Sequence, residues 1–433
     1  MFVFLFLYVI LCSYRENRKA HNMKNSILLD MAMELGYELA MCGAETYRVE
    51  ESISRILGAY NITGEVFAIP NCLIVSMQSS DGETLSRMRR IGQHDSNIDG
   101  VERLSNLSRR ICAETPDPEI AIQWLKAAEK EKKTYSFWPC AFGGFLGALG
   151  FCLFFGGSLP DCFFSGICGA VVFFVIYLTG KFHVNTFFST ISASFIMAIL
   201  AYFLAVAGVV ENSGPVIIGA LMSLVPGWLF TNGMRDIIFG DTNSGINRIV
   251  QVFLIAAALA LGTAAAWNLI SLSFTIPVVE QGIQYGDWII CLGAFIGCCG
   301  FLFVFNIHGW GGLLCALGGM LTCGVMCICR HFFQSEIAAN FFAVLFAAVY
   351  SEIMARVRKF PAISYQVVSM FPLVPGAGIY YTTHFLVTGN ITAFSSKGAE
   401  TIGITGVLAV GILLVSTFVR FITQWKQRNK NRI

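Results

Sequence analysis

Two regimes of hydrophobic patterning divide the chain. Between Met23 and Lys133, apolar residues recur at helical spacing: Leu28, Met31, Leu35 and Leu39, then Val49, Ile53, Ile56 and Leu57. Two β-type runs follow, Val66-Phe67-Ala68-Ile69 and Leu73-Ile74-Val75-Ser76-Met77. They flank Pro70-Asn71, and Asp81-Gly82 closes the second, a pattern that predicts a hairpin. Asp117 before Pro118 supplies an N-cap and first-turn pair for a last helix carrying Ile120, Trp124 and Ala127. These elements predict a small soluble α+β domain over residues 23–134.

From Trp138 apolar runs take over. Ten transmembrane helices are expected, at about 138–158, 161–179, 186–208, 214–231, 248–272, 287–305, 309–329, 336–355, 361–387 and 401–421. Several approach the ~20 residues that a bilayer requires. The fold class is therefore a polytopic α-helical membrane protein preceded by a small soluble α+β domain. The spans divide into a repeat at 138–272, a second at 286–421 and a basic tail at 422–433. The run Met1–Cys12 is apolar but too short to span, and it lacks a positive leader and a small-residue cleavage site. Residues 1–22 thus read as an over-extended start, or as a short membrane-associating segment, before the ordinary helix start at Met23.

The two apolar blocks repeat one another. Leu-Val-Pro-Gly occurs at Leu224–Gly227 and again at Leu373–Gly376, with the prolines 149 residues apart (375 − 226) and Gly240 and Gly389 in the same register. Gly143, Gly147 and Gly150 match Gly293, Gly297 and Gly300 at an offset of 150. Glycines three and four apart allow close helix approach. Proline and glycine break the backbone ladder of a membrane helix, which is tolerable only where protein or water satisfies the freed groups. Matched breaks in two halves point to a transport site built from interrupted helices.

Loop charges orient the spans. With the soluble domain cytoplasmic, Lys181, Arg235, Arg248, Arg356, Arg358 and Lys359 fall in cytoplasmic loops. The tail residues Lys426, Arg428, Lys430 and Arg432 join them. Opposite loops hold Glu211, Glu280 and Asp287, with Arg330 and Lys397 as exceptions. Five spans per half is an odd number, so the second half is inverted relative to the first.

Composition agrees with a lipid-solvated chain: of 433 residues, 55% are hydrophobic and 13% charged, and mean hydropathy is +0.66. The net charge of +2 names no partner, and without a basic tract nucleic-acid binding is not expected. Fifteen cysteines lie mostly in apolar segments, where free thiols act as small hydrophobes. Cys323, Cys327 and Cys329 with His331 match no structural zinc spacing. No metal or other cofactor is expected. The chain carries no phosphate-binding Gly-x-x-x-x-Gly-Lys-Ser/Thr loop, no Gly-x-Ser-x-Gly elbow and no His-Glu-x-x-His helix.

Candidate chemistry gathers at the two breaks. Pro226 and Gly227 lead to Thr231, Asn232, Arg235 and Asp236, then to Asp241. Interrupted helices present unpaired backbone groups that can replace the hydration of a zwitterion. Asn232 adds side-chain hydrogen bonds, while Arg235 with Asp236 suits a gate or a substrate carboxylate, or simply ends a helix. Pro375, Gly376 and Gly378 lead to Tyr380, Tyr381 and His384, the last a candidate proton carrier or a polar cap. Glu352 has Arg356 four residues on, the spacing of an ordinary helical ion pair, though proton coupling through Glu352 or Asp236 stays open. Asp161 after Pro160 reads as a helix cap.

With these residues in view, the chain resembles the threonine/serine exporter family of bacterial membrane transporters. The resemblance runs from about Met31 to Phe421. It includes Gly36-Tyr37-Glu38-Leu39-Ala40-Met41-Cys42-Gly43-Ala44-Glu45-Thr46-Tyr47-Arg48-Val49-Glu50, the first Leu-Val-Pro-Gly through Asn232, Arg235-Asp236 and Gly240-Asp241, and the second Leu-Val-Pro-Gly-x-Gly with Tyr380. It implies a hydrophilic domain before ten spans, both five-span halves fused, and export of small hydroxy amino acids driven by an ion gradient, with protons the expected coupling ion. In split relatives, linked to dicarboxylate efflux, the halves are separate polypeptides. The implied location is the bacterial cytoplasmic membrane, multi-pass, with both termini cytoplasmic. The expected partners are a small-molecule substrate, the lipid bilayer and a coupling ion, with oligomeric state left open. A dicarboxylate exporter, in which Arg235 matters more, is the alternative. A membrane-anchored enzyme or sensor would instead use Glu45 and Glu50, or Asp95 and Asp99, in the soluble domain.

Overall fold

A computed structural model describes residues 23–78, 82–92, 97–226, 229–230, 233, 236–237, 240–275, 282–358, 360, 362–387 and 389–430. The chain divides into two compact units at Lys133/Thr134.

The first unit packs four helices with a three-stranded antiparallel sheet. Helix α1 spans residues 23–41, α2 Thr46–Ala59, α3 Ile98–Glu114 and α4 Pro118–Lys130. Strands β1 (Gly64–Ile69), β2 (Cys72–Gln78) and β3 (Thr84–Arg90) lie in the order β1-β2-β3. Ile69 pairs with Cys72, so the first hairpin turns at Pro70-Asn71. Leu73, Val75 and Met77 alternate into the core from β2 and join Leu28, Met31, Leu35, Leu39, Val49, Ile53, Ile56 and Leu57. Strand β3 is not in the sequence-based reading, because Thr-Leu-Ser-Arg-Met-Arg-Arg carries no apolar run. Its arginines are held by α1 instead: Arg87 Nε donates to Asp30 at 2.7 Å, and Arg89 pairs with Glu34 and lies over the Tyr37 ring. Pro118 opens α4, but Asp117 pairs with Lys24 at 3.1 Å and makes no capping bond.

The second unit is helical. Its elements are α5 (Phe137–Phe154), α6 (Leu159–Lys181), α7 (Thr186–Val206), α8 (Ser213–Leu221), α9 (Thr242–Ser271), α10 (Asp287–Val304), α11 (Trp310–Phe333), α12 (Glu336–Arg358), α13 (Ala362–Ser369), α14 (Gly376–Val387) and α15 (Ile391–Lys430). Among the described residues, eight helices are long and apolar enough to cross a membrane. A ninth crossing forms if α13 and the helix after it count as one span, bent by 43°. These nine correspond to nine of the ten expected spans. In the tenth segment, 214–231, the described residues include a nine-residue helix, α8, which reaches about 14 Å at 1.5 Å per residue; 227–228 and 231 lie outside the described residues.

The matched glycines pack against each other where α5 crosses α10. A Cβ placed on Gly143 would lie 2.6 Å from the Gly300 carbonyl oxygen, and one on Gly150 would lie 2.6 Å from that of Gly293. Gly143 meets Gly300 while Gly150 meets Gly293, so the two helices run antiparallel. The absence of side chains brings backbone to backbone. Phe151 and Phe301 seal one flank with ring centroids 5.5 Å apart, and Phe371 stacks on Phe301 at 4.1 Å. Helix starts recur at nearly constant offset (287 − 137 = 150 for α5 and α10; 391 − 242 = 149 for α9 and α15). Gly240 and Gly389 both take positive φ, 95° and 75°, just before α9 and α15.

Asp161 caps α6 in a reciprocal box with Ser158, and its second oxygen accepts the Glu211 N–H at 2.8 Å. It is a cap, as its position after Pro160 suggests.

Candidate functional site

The second break is built by two prolines. Helix α13 ends at Ser369, a single 3-10 turn covers Phe371–Leu373, and α14 resumes at Gly376. Pro372 and Pro375 have no N–H, which forbids a continuous ladder here. The Gly376 N–H turns back to Val374 O at 2.7 Å, and Ile379 N–H donates to Pro375 O at 3.0 Å.

The two breaks touch. A Cβ on Gly376 would fall 2.6 Å from Met222 Sδ and 3.5 Å from a Val225 methyl, so the second Leu-Val-Pro-Gly abuts the residues just before the end of the first. Leu221, Val225, Thr263, Gly376 and Tyr380 enclose only about 10 Å³ between them, at the lower limit for one water. This contact is dry and closed.

On the other side of α14 lies an open cavity of about 260 Å³. Backbone and side chains of Pro372–Pro375 and Gly378 form one wall, and Tyr381, Asn340 and Thr401 add polar groups. Two ion pairs complete the lining: Arg330 Nε to Glu336 at 2.8 Å and Lys397 Nζ to Glu400 at 2.9 Å. Asn340 is held by its Nδ2 donating to Glu336 O at 2.8 Å, and Thr401 by its hydroxyl donating to Lys397 O at 2.7 Å. Gly378 has Thr401 packed directly over it, where any side chain would collide.

The sequence-derived candidates separate on this geometry. Pro375 and Gly378 line the cavity, and Gly376 lines the closed contact. Tyr380 and Tyr381 part ways, because adjacent residues on a helix point about 100° apart. Tyr380 accordingly turns to the hydrogen-bonding reach of Tyr202, and Tyr381 takes the cavity wall. Pro226 is buried outside the cavity lining. Gly227, Thr231, Asn232 and Arg235 lie outside the described residues, as does the side chain of His384. Asp236 is nearly buried and forms its ion pair with Arg248 of α9, Nε to Oδ2 3.1 Å. Asp241, a coupling or gating candidate beside Asp236 in the sequence, is the N-cap of α9 and accepts the Ser244 N–H at 3.3 Å. Glu352 pairs with Arg356 at 3.7 Å, the helical pair its spacing suggests.

Sequence reasoning named Tyr381 among the polar groups after the second break but missed Glu336, Asn340, Glu400 and Thr401. The available signal was Arg330 and Lys397, the two cations that broke the charge bias of the loops. Both stand on the cavity.

The carboxylates of the enzyme alternative are engaged elsewhere. Glu45 pairs with Arg48 at 3.4 Å, and Glu50 accepts the Ala68 N–H at 2.9 Å. Asp99 binds Arg103 at 2.7 Å and the Lys133 N–H at 3.1 Å; Asp95 lies outside the described residues. The cysteine run also rearranges: Cys323 and Cys327 meet Cys291 of α10, all three sulfurs within 4.8 Å, whereas His331 pairs with Asp287.

Long apolar helices, a broken span and a charged cavity beside the break define a polytopic membrane protein of transporter type. The chain belongs to the threonine/serine exporter family: the family described as "Putative threonine/serine exporter" matches residues 30–270, and "Threonine/Serine exporter, ThrE" matches residues 290–418. It is similar to pheromone-regulated membrane protein 10 of Debaryomyces hansenii, 24% identical over 428 residues, covering 89% of this chain and 41% of that one. The protein of the same name in Eremothecium gossypii is 23% identical over 234 residues, covering 51% and 30%. The chain therefore spans less than half the length of these curated relatives. No solved structure is similar to it.

Proposed function

We propose that the protein is a secondary exporter of small hydroxy amino acids such as threonine and serine, whose substrate sits in the cavity beside the second break. The observation that carries this reading is the charge balance of the lining: Arg330 with Glu336, and Lys397 with Glu400. Two cations and two anions in neutral pairs suit a zwitterion. Its carboxylate takes Arg330 or Lys397, its ammonium takes Glu336 or Glu400, and Asn340, Thr401 and Tyr381 stand ready for a side-chain hydroxyl.

The antiparallel glycine crossing and the recurring helix starts support a 5+5 inverted repeat, with alternating access by rocking of one half on the other. In this reading Glu336 and Glu400 replace Asp241 and Glu352 as the carboxylates placed to exchange a proton with the cavity. Asp236 with Arg248 serves as the closed gate of the first half. Asn232, Arg235 and His384 complete the two half-sites, and the bias of the loop charges supports a cytoplasmic side for both termini.

A dicarboxylate is the second reading, since Arg330 and Lys397 face one cavity and offer one cation to each of two carboxylates. Counterflow in proteoliposomes separates the two. Threonine-loaded vesicles are expected to take up labelled threonine, with succinate a poor competitor. Exchange of succinate in preference to threonine would overturn the amino-acid assignment.

A further inference from the structure

The soluble unit contains a second built cavity, far in sequence from the breaks and unused by the transport reading. Helices α2 and α3 each turn a polar stripe into it at helical spacing: Arg48, Glu51, Ser52 and Arg55 from α2, and Ser105, Ser108, Arg109 and Cys112 from α3. Their other stripes, with Val49, Ile53, Ile56, Leu104 and Ile111, are buried in the core. The space between the polar stripes is about 340 Å³, the size of a small-metabolite site.

Its polar atoms are not satisfied from within. Ser105 is only 6% exposed, and its buried hydroxyl has no hydrogen-bond partner; the buried Arg48 Nε has none either. A buried polar group without a partner costs about 1–3 kcal/mol, so a pair of them at one cavity points to a missing acceptor. The charges agree. Glu45 holds Arg48 through Nη2, and Glu51 holds Arg55 at 2.7 Å. Three guanidiniums, of Arg48, Arg55 and Arg109, share the lining with one carboxylate, that of Glu51. Arg109 feels the imbalance: burial first, and then the charges of Arg48 and Arg55, push its guanidinium below the usual basicity.

The geometry points to an anion site between α2 and α3 that takes a phosphate group, either free phosphate or the phosphate of a small phosphomonoester. A phosphate offers three acceptor oxygens to a lining that is almost all donors, and guanidinium forks match it bidentately. A carboxylate offers two. Arg48 would hold the bound anion from the lining, with Arg55 and Arg109 closing over it from the more exposed edge.

Cys112 reports on occupancy, because it lines the cavity and its half-buried thiol is raised by burial. The full-length protein in detergent is alkylated with N-ethylmaleimide at about pH 8.5, near the ordinary cysteine value, and each site is read by peptide mass spectrometry. Inorganic phosphate at constant ionic strength should slow modification of Cys112 and leave Cys72 on β2 unchanged. Arg109→Gln and Arg55→Gln, at exposed positions that preserve the core, should each raise the half-protecting phosphate concentration about tenfold. Absence of protection in the wild type, or full protection in the Arg55→Gln/Arg109→Gln double variant, would overturn the site. Equal protection by succinate would overturn its assignment to phosphate, whereas protection by a phosphomonoester at lower concentration than free phosphate would assign the larger ligand. Efflux plays no part in this readout, so its outcome is separate from that of the transport reading.

Discussion

The same four residues, Leu-Val-Pro-Gly, lead to opposite surroundings in the two halves. After the first copy, Asp236 and Arg248 form an ion pair with side chains only 9% and 12% exposed. Around the second, Lys397 and Glu400 form a pair with side chains 33% and 32% exposed, on the wall of an open cavity. One pair is sealed by protein and the other is wet. A repeated helix break thus fixes where the backbone opens, and the neighbouring helices decide whether that opening is closed by charge or offered to a ligand.

Four substitutions, two of them set against a control, test this contrast in decreasing order of effect. Gly376→Leu drives a side chain into Met222 and Val225, where the breaks meet, and should abolish efflux while the protein stays in the membrane. Gly406→Leu, with open space around its Cβ position, should retain it. Wild-type transport by Gly376→Leu would detach the contact between the breaks from function. Next, Asp236→Asn leaves Arg248 nearly buried without its anion. A loss of about 3–5 kcal/mol is expected, read as a large fall in melting temperature in detergent.

Lys397→Gln should behave in the reverse way. Its exposed pair is worth about 0–1 kcal/mol to stability, yet threonine efflux should fall about tenfold or more if the cation holds a substrate carboxylate. Equal behaviour of the two variants, both unstable or both merely slow, would erase the distinction between sealed and wet pairs. The smallest effect is expected from the tyrosines. Tyr381→Phe should raise the threonine concentration for half-maximal transport several-fold, in line with about 0.5–1.5 kcal/mol for one hydrogen bond. Tyr380→Phe should leave that value unchanged and act on stability through Tyr202.

How much of this was legible in the sequence depended on what each pattern encodes. Periodic burial was readable: Leu28, Met31, Leu35 and Leu39 are core residues because a helix returns to one face every three or four positions. The glycine triplets were readable for the same reason, and their offset matched the pair that packs. Strand β3 was not, because its stability comes from arginines held by α1, contacts between segments far apart in sequence. The break at Pro375 was readable from its proline and glycine, but the turn it makes was not, because the extra 3-10 turn at Phe371–Leu373 rests on Pro372 as well. The cavity was legible only through its exceptions. Arg330 and Lys397 stood out as cations on the wrong side, but their partners Glu336 and Glu400, and the choice of Tyr381 over Tyr380, depend on how α11, α12, α14 and α15 are rotated against one another.

The glycine crossing has one more consequence. Gly143 against Gly300 and Gly150 against Gly293 is the pattern of a two-fold interface, in which a patch is its own complement. A half-length chain of this design would carry both surfaces of the contact on a single helix and could pair with an inverted copy of itself. In the inverted-repeat reading proposed above, joining two such halves in one polypeptide turns a self-association that depends on concentration into a permanent one. It also frees each copy to change alone, which is how one break can close around an ion pair while its twin keeps a cavity.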